Sequence, residues 1–190
     1  MVKVVGIIPS RYQSSRFPGK PLTDILGRSM IQRVYDQCKQ CALLNDVIVA
    51  TDDDRILEHV QNFGGKAMMT SAAHQSGTDR CNEVAQRLYA NYDLIVNIQG
   101  DEPFINPEQI SELVNVFNGT KIEIGTLAKK ITNLNLLKDR SCPKAIFDKG
   151  GIALNFCREI TTFPKKQPYF KHIGIYAYKT KILNEICKLP

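Results

Sequence analysis

Hydrophobic positions along the chain occur in two ways. Some form short unbroken runs, and others recur every three or four residues over longer stretches. Val4–Ile8, Val47–Ala50, Lys66–Met69 and Asp93–Ile98 are short runs and predict buried strands. Between them, Met30–Leu44 carries Met30, Ile31, Val34, Tyr35 and Cys38 at helical spacing, and Arg55–Phe63 and Asp79–Tyr89 read as further helices. Gly64-Gly65 stops the second of these, and Pro107 suits the first turn of a helix running to about Phe117. Such alternation predicts an α/β fold: a Rossmann-like, doubly wound, mostly parallel sheet. Beyond about Ile122 the pattern changes. Ile122–Ile131, Lys144–Asp148, Ile152–Phe156 and His172–Tyr178 read as strands with few helices between them, so a β-rich second half is expected. The division read from the sequence is residues 1–120 as an α/β part and 121–190 as a β-rich second part of the same domain.

The bulk properties narrow the class. A chain of 190 residues, 43% hydrophobic, suits one domain with a buried core. No apolar run is long enough for a bilayer span, and Val4–Ile8 is too short for a signal sequence, so a cytoplasmic protein is expected. The six cysteines include a Cys38-x-x-Cys41 pair, but it falls within a predicted helix with no second ligand pair, which favours free thiols over zinc. The net charge of +6 has no long basic stripe behind it, since Lys129-Lys130 and Lys165-Lys166 are only pairs. Small anions are therefore favoured over nucleic acid as partners, and no membrane insertion is expected.

The most informative segment follows the first strand directly: Pro9-Ser10-Arg11-Tyr12-Gln13-Ser14-Ser15-Arg16-Phe17-Pro18-Gly19-Lys20-Pro21-Leu22. It leaves the carboxyl edge of the sheet, where open α/β folds bind ligands. Arg11, Arg16 and Lys20 suit a triphosphate whose charge grows as pyrophosphate departs. The loop is not a Walker A, because GxxxxGK[ST] is absent.

This loop resembles the signature of the nucleotidyltransferases that activate acidic sugars, in particular the 3-deoxy-manno-octulosonate (Kdo) cytidylyltransferases of Gram-negative bacteria. Val49-Ala50-Thr51-Asp52-Asp53, His74-Gln75-Ser76-Gly77-Thr78-Asp79-Arg80, Asn97-Ile98-Gln99-Gly100-Asp101-Glu102-Pro103 and His172-Ile173-Gly174-Ile175-Tyr176 continue the likeness in order. The resemblance implies an Mg²⁺-dependent homodimer that transfers CMP from CTP to Kdo for lipopolysaccharide synthesis. It implies catalytic roles for Arg16, Lys20 and Asp101, with Asp101 on the metal. Pro9, Ser10, Arg11, Arg16, Lys20, Thr70, Ser76, Gly77, Arg80, Gln99 and Gly100 would bind the nucleotide. Lys144, Arg158, His172 and Tyr176 would bind the sugar, Arg158 suiting its planar carboxylate. The dimer contact is expected in the second half.

Other readings remain open at this level. The acceptor could be a different acidic sugar, such as an amino-Kdo or a sialic acid, or the chain could be a nucleotide-binding module without catalysis. Asp52-Asp53-Asp54 could be taken for the metal motif of a glycosyltransferase, although a helix cap by Asp52 or Asp53 is the simpler expectation. His74 could be a general base, a role that a metal-bound sugar hydroxyl would make unnecessary. The family normally continues past Pro190, through a block whose aspartate would be the second metal carboxylate. Its Pro-Asn-Ala-Val-Lys-like segment reads Ser141-Cys142-Pro143-Lys144-Ala145 here.

Overall fold

Seven residues without a charge, Val4–Ser10, form β1, a strand paired on both sides. The structure, a computed structural model, describes residues 2–13, 17–88, 91–159 and 168–189. After β1 come a 3₁₀ turn at Lys20–Leu22 and a small hairpin, β2 (Asp24–Ile25) and β3 (Arg28–Ser29). There follow α1 (Met30–Lys39), β4 (Asp46–Thr51), α2 (Asp54–Asn62), β5 (Lys66–Met69), α3 (Gly77–Arg87), β6 (Leu94–Asn97) and α4 (Pro107–Asn115). The remainder comprises β7 (Ile124–Lys130), a 3₁₀ turn at Leu134–Leu137, β8 (Lys144–Phe147), β9 (Ala153–Cys157), β10 (Phe170–Lys179) and α5 (Thr180–Ile186).

The chain divides into two compact units, Met1–Gly125 with Ile175–Pro190, and Thr126–Gly174. This differs from the sequence division at residue 120, because the chain from Ile175 onward returns to the first unit. In that unit the strand order is β5–β4–β1–β6–β10, with the first four parallel and β10 antiparallel to β6. Val5, Ile7, Ile48, Ala50 and Ile95 line one sheet face and pack against Cys81, Val84 and Ala85 of α3, with Tyr178 and Leu183. In the second unit β8 pairs antiparallel with β9 and with the start of β10. The expected α/β fold with a mostly parallel sheet is the one observed.

Some element ends differ from expectation for local reasons. The helix expected over Met30–Leu44 stops at Lys39, and turns through Cys41 and Leu44 bring Asn45 back to β1. There Asn45 donates its backbone N–H to the Val4 carbonyl and accepts from Val4 N at 2.7 Å, which aligns β4 beside β1. Helix α3 begins two residues earlier than expected because Ser76 and Asp79 form a reciprocal capping box. Helix α5 was not legible in the sequence, since Lys179 stands at its N-cap with no side-chain cap. Cys38 and Cys41 are buried, and all six cysteines are free. Burial, chiefly, pushes the Cys38 thiol up to about 12, so it stays protonated and inert at neutral pH.

Candidate functional site

Strands β1, β4, β5 and β6 run parallel, so the loops after them emerge at one edge of the first unit. Two segments quoted from the sequence converge there on the Pro9 of a third. A Cβ added to Gly77 would lie 3.1 Å from Pro9 Cγ, and one added to Gly100 would lie 3.1 Å from the Pro9 carbonyl oxygen. Glycine at both positions lets the start of α3 and the loop after β6 close on the end of β1. Gly100→Ala is expected to push that loop off β1 by a few tenths of an ångström. On the order of tenfold should be lost in kcat/KM for the nucleotide, with little change in melting temperature. Steady-state kinetics beside a thermal melt checks this. Ser10, at the end of β1, is 3% exposed, and its Oγ has no hydrogen-bond partner among the described residues.

The loop after β1 folds back on itself, with Gly19 N donating to Tyr12 O at 2.9 Å and Leu22 N to Gly19 O at 2.9 Å. Arg55 of α2 lays its guanidinium 3.3 Å from the Tyr12 ring centroid while its Nη2 reaches Asp53 at 2.6 Å. The stacking was not visible in local sequence pattern, because Tyr12 and Arg55 are remote along the chain. The fold in turn puts Lys20 beside Asp101, with Nζ donating to Oδ2 at 2.5 Å and both side chains partly exposed. A cation and a carboxylate assigned separately to phosphate and metal thus occupy one spot. Arg16 lies outside the described residues.

Beneath this edge runs a buried polar chain. Arg80 is fully buried. Its Nη1 donates to Thr70 Oγ1 at 2.5 Å and its Nη2 to Asp52 Oδ2 at 2.7 Å. Thr70 also donates through Oγ1 to Thr51 O at 2.9 Å. Arg80 therefore ties the ends of β4 and β5 to α3, with its guanidinium inside the protein. Asp53 caps α2 by accepting from Arg55 N, the simpler of the two expectations for the aspartate run.

His74 is half-buried, with Nε2 2.5 Å from Glu83 Oε2. Glu83 escaped the sequence reading. Its only signal was the four-residue spacing to Arg87 on the same helix, a pairing the structure makes. Gln99 and Gly100 precede Asp101 in the same loop, where Gln99 O accepts from Glu102 N.

The sugar-side candidates divide between the units. Lys144, Arg158 and His172 belong to the second, at the start of β8, just past β9 and near the start of β10. Lys144 is fully buried, its ammonium donating to Asp139 O at 2.5 Å and to Arg158 O at 3.0 Å. It holds backbone carbonyls and presents no cation at the surface. Arg158 is exposed and donates through Nη1 to Arg140 O at 3.1 Å. His172 packs against Phe156, with Nε2 3.0 Å from Thr126 Oγ1. Burial pulls His172 below its ordinary value, so at neutral pH it offers a neutral imidazole where the sequence had led us to expect a cation. Tyr176 belongs to the first unit, directly opposite Asn97 and stacked on Tyr178. Burial raises its phenol, which stays a hydroxyl donor.

Among the described residues no three His, Cys, Asp or Glu side chains cluster as a metal cage. Asp101 by itself suits a hard cation held mostly by substrate phosphates and water, the usual manner of Mg²⁺ binding.

A parallel sheet whose carboxyl edge carries a basic glycine loop and a carboxylate defines a nucleotide-binding transferase class, and the chain belongs to the cytidylyltransferase family, whose model matches residues 5–190. It is similar to the 3-deoxy-manno-octulosonate cytidylyltransferase of Parabacteroides distasonis, at 46% identity over all of this chain and 80% of the relative. The enzyme of the same name from Bacteroides thetaiotaomicron is 45% identical with the same coverage. A solved CMP:2-keto-3-deoxy-manno-octonic acid synthetase complexed with CTP superposes with a TM-score of 0.93 at 42% identity, covering 99% of this chain and 78% of that one. A 4-diphosphocytidyl-2C-methyl-D-erythritol synthase from Anaerococcus prevotii shares the fold, with a TM-score of 0.64 at 14% identity.

Proposed function

We propose that this chain transfers CMP from CTP to Kdo, releasing pyrophosphate, with Mg²⁺ as its cation. The observation carrying this reading is the likeness, along essentially the whole chain, to Kdo cytidylyltransferases, one of them solved with CTP. The site chemistry supports it. Lys20 would leave Asp101 for the nucleotide phosphates and neutralise charge that grows on the bridging oxygen. The N-terminus of α3, at Gly77, would present its backbone N–H to the nucleotide, while the Ser76 N–H is held by Asp79. When bound, Mg²⁺ would supply charge neutralisation and lower the pKa of the attacking hydroxyl. Asp101 is the residue here that would hold it. The sugar's anomeric hydroxyl would give up its proton to solvent as its oxygen forms a bond to the α-phosphorus, the bond from that phosphorus to the α–β bridging oxygen would break, and pyrophosphate would leave with that electron pair.

For the acceptor, the second unit would supply the exposed Arg158 guanidinium and the neutral His172 imidazole, while Lys144 holds the Arg158 backbone in place. A homodimer is part of the same reading. Ile152, Leu154 and Phe156 on and beside β9 are exposed apolar side chains that a second copy would cover. A cytoplasmic setting is supported by the six unpaired thiols. No described helix is long and apolar enough to cross a membrane.

The test is pyrophosphate release with Mg²⁺, comparing CTP, UTP, GTP and ATP, each with Kdo, an amino-Kdo, a sialic acid or no sugar. Release is expected only with CTP plus Kdo. Release with a sialic acid instead would move the substrate assignment, and none with any pair would end the transferase reading.

A further inference from the structure

The segment between β5 and α3, residues 70–76, leads into the Ser76-Gly77 helix start that the proposed function assigns to the nucleotide. It is fastened to one face of α3 along its length. Before it, Arg87 Nη1 donates to Met69 O at 2.7 Å. At its beginning Ser71 N donates to Glu83 Oε2 at 2.8 Å, and in its middle His74 Nε2 meets the same oxygen at 2.5 Å. The other Glu83 oxygen takes Arg87 Nη2. At the far end Ser76 and Asp79 close the capping box, with Ser76 N to Asp79 Oδ2 at 3.0 Å and Asp79 N to Ser76 Oγ at 3.1 Å. Within the loop, Ser71 Oγ accepts from Ala73 N at 3.1 Å and Gln75 Nε2 donates to Ala73 O at 3.1 Å.

Glu83 binds the loop at two separated points and is itself gripped from its own helix. Its side chain is about four-fifths buried. Burial pushes it up, but the Ser71 N–H, His74 and Arg87 outweigh burial and leave it below the ordinary carboxylate value. It is thus ionised at neutral pH, and a carboxylate with three donors is a strong anchor.

We infer that Glu83 and His74 form a latch that positions the 70–76 loop for the nucleotide, with His74 as a positioning residue. Nε2 of His74 is held by Glu83, which leaves Nδ1 as the nitrogen a base would use, and His74→Gln removes that nitrogen while keeping a donor to Glu83. With the latch closed, Gly77 stands ready against Pro9. With it open, the loop must be ordered when the nucleotide binds, and that cost lowers affinity. The inference rests on the cytidylyltransferase reading for its link to CTP.

His74→Gln separates the roles, because a glutamine amide can donate to Glu83 but cannot act as a base at neutral pH. We expect His74→Gln to keep KM for CTP and kcat within about twofold of wild type. His74→Ala and Glu83→Gln should each raise KM for CTP by about tenfold, roughly 1.4 kcal/mol, with kcat nearly unchanged. The His74→Ala/Glu83→Gln double variant should be no worse than either alone, since both open one latch. Independently of turnover, amide exchange over residues 70–76 should quicken in Glu83→Gln and His74→Ala but not in His74→Gln. A collapse of kcat in His74→Gln would make His74 the base and overturn the inference. So would unchanged KM and unchanged exchange in Glu83→Gln. If no form turns over CTP yet exchange follows this pattern, the latch stands and the cytidylyltransferase reading fails.

Discussion

Replacing Asp101 with alanine is expected to lower pyrophosphate release by about three orders of magnitude, the scale of several kcal/mol that a metal's charge neutralisation is worth. Little fold stability should be lost with it, because the Lys20–Asp101 pair is partly exposed on both sides and exposed pairs contribute little. Lys20→Met is expected to cost about 10²-fold in the same assay, because one preorganised charge on the phosphates is gone. The two variants should then separate in a binding experiment with a non-hydrolysable CTP analogue present, which supplies the phosphate ligands. Titrating Mn²⁺ by electron paramagnetic resonance, Lys20→Met should keep the ion and Asp101→Ala should bind it markedly more weakly. Equal Mn²⁺ affinity in all three would remove Asp101 from the metal role.

The largest expected effect on stability lies at Asp52. Asp52→Ala leaves the Arg80 guanidinium, fully buried, with Thr70 as its remaining side-chain acceptor among the described residues and with Nε already unpartnered there. Breaking such a pair by removing one member costs about 3–5 kcal/mol. In a chain of this length that corresponds to a fall in melting temperature on the order of 10 °C. Replacing both members, Asp52→Leu with Arg80→Met, should recover most of the loss because no charge is left stranded. Denaturant or thermal melts of the single and double variants check this. A single variant within about 1 kcal/mol of wild type would mean that water reaches Arg80 and that Asp52 is not its essential partner.

Much of this site could be read along the chain because its parts sit at a repeated topological position. Lys20, Ser76-Gly77 and the Gln99-Gly100-Asp101 segment all follow a strand or open a helix, and short apolar runs mark those strands plainly. What escaped the sequence were side-chain partners. Glu83 drew no reading from the sequence, and only the return of the 70–76 loop onto α3 gave it Ser71 and His74 to hold. Lys144 looked like a surface cation for a sugar. Its neighbours turn out to be the Asp139 carbonyl, five residues back along the chain, and the Arg158 carbonyl, brought to it by the β8–β9 pairing, in which Lys144 stands opposite Cys157. Helix α5 carried no start signal and is held by tertiary packing of Leu183 against α3 and the sheet.

The order of residues carries the alternation of strand and helix, the mostly parallel sheet it entails, cap candidates among Ser76, Thr78 and Asp79 and between Asp52 and Asp53, and the loops that carry charge to one sheet edge. These depend on interactions between residues close in sequence and on the burial of apolar runs, which a chain displays in its order. Tertiary structure alone decided which charges meet. Lys20 finds Asp101, Arg80 finds Asp52, and burial makes His172 a neutral ring. Pairing and desolvation depend on distances between segments far apart in the chain, and no local pattern records those distances.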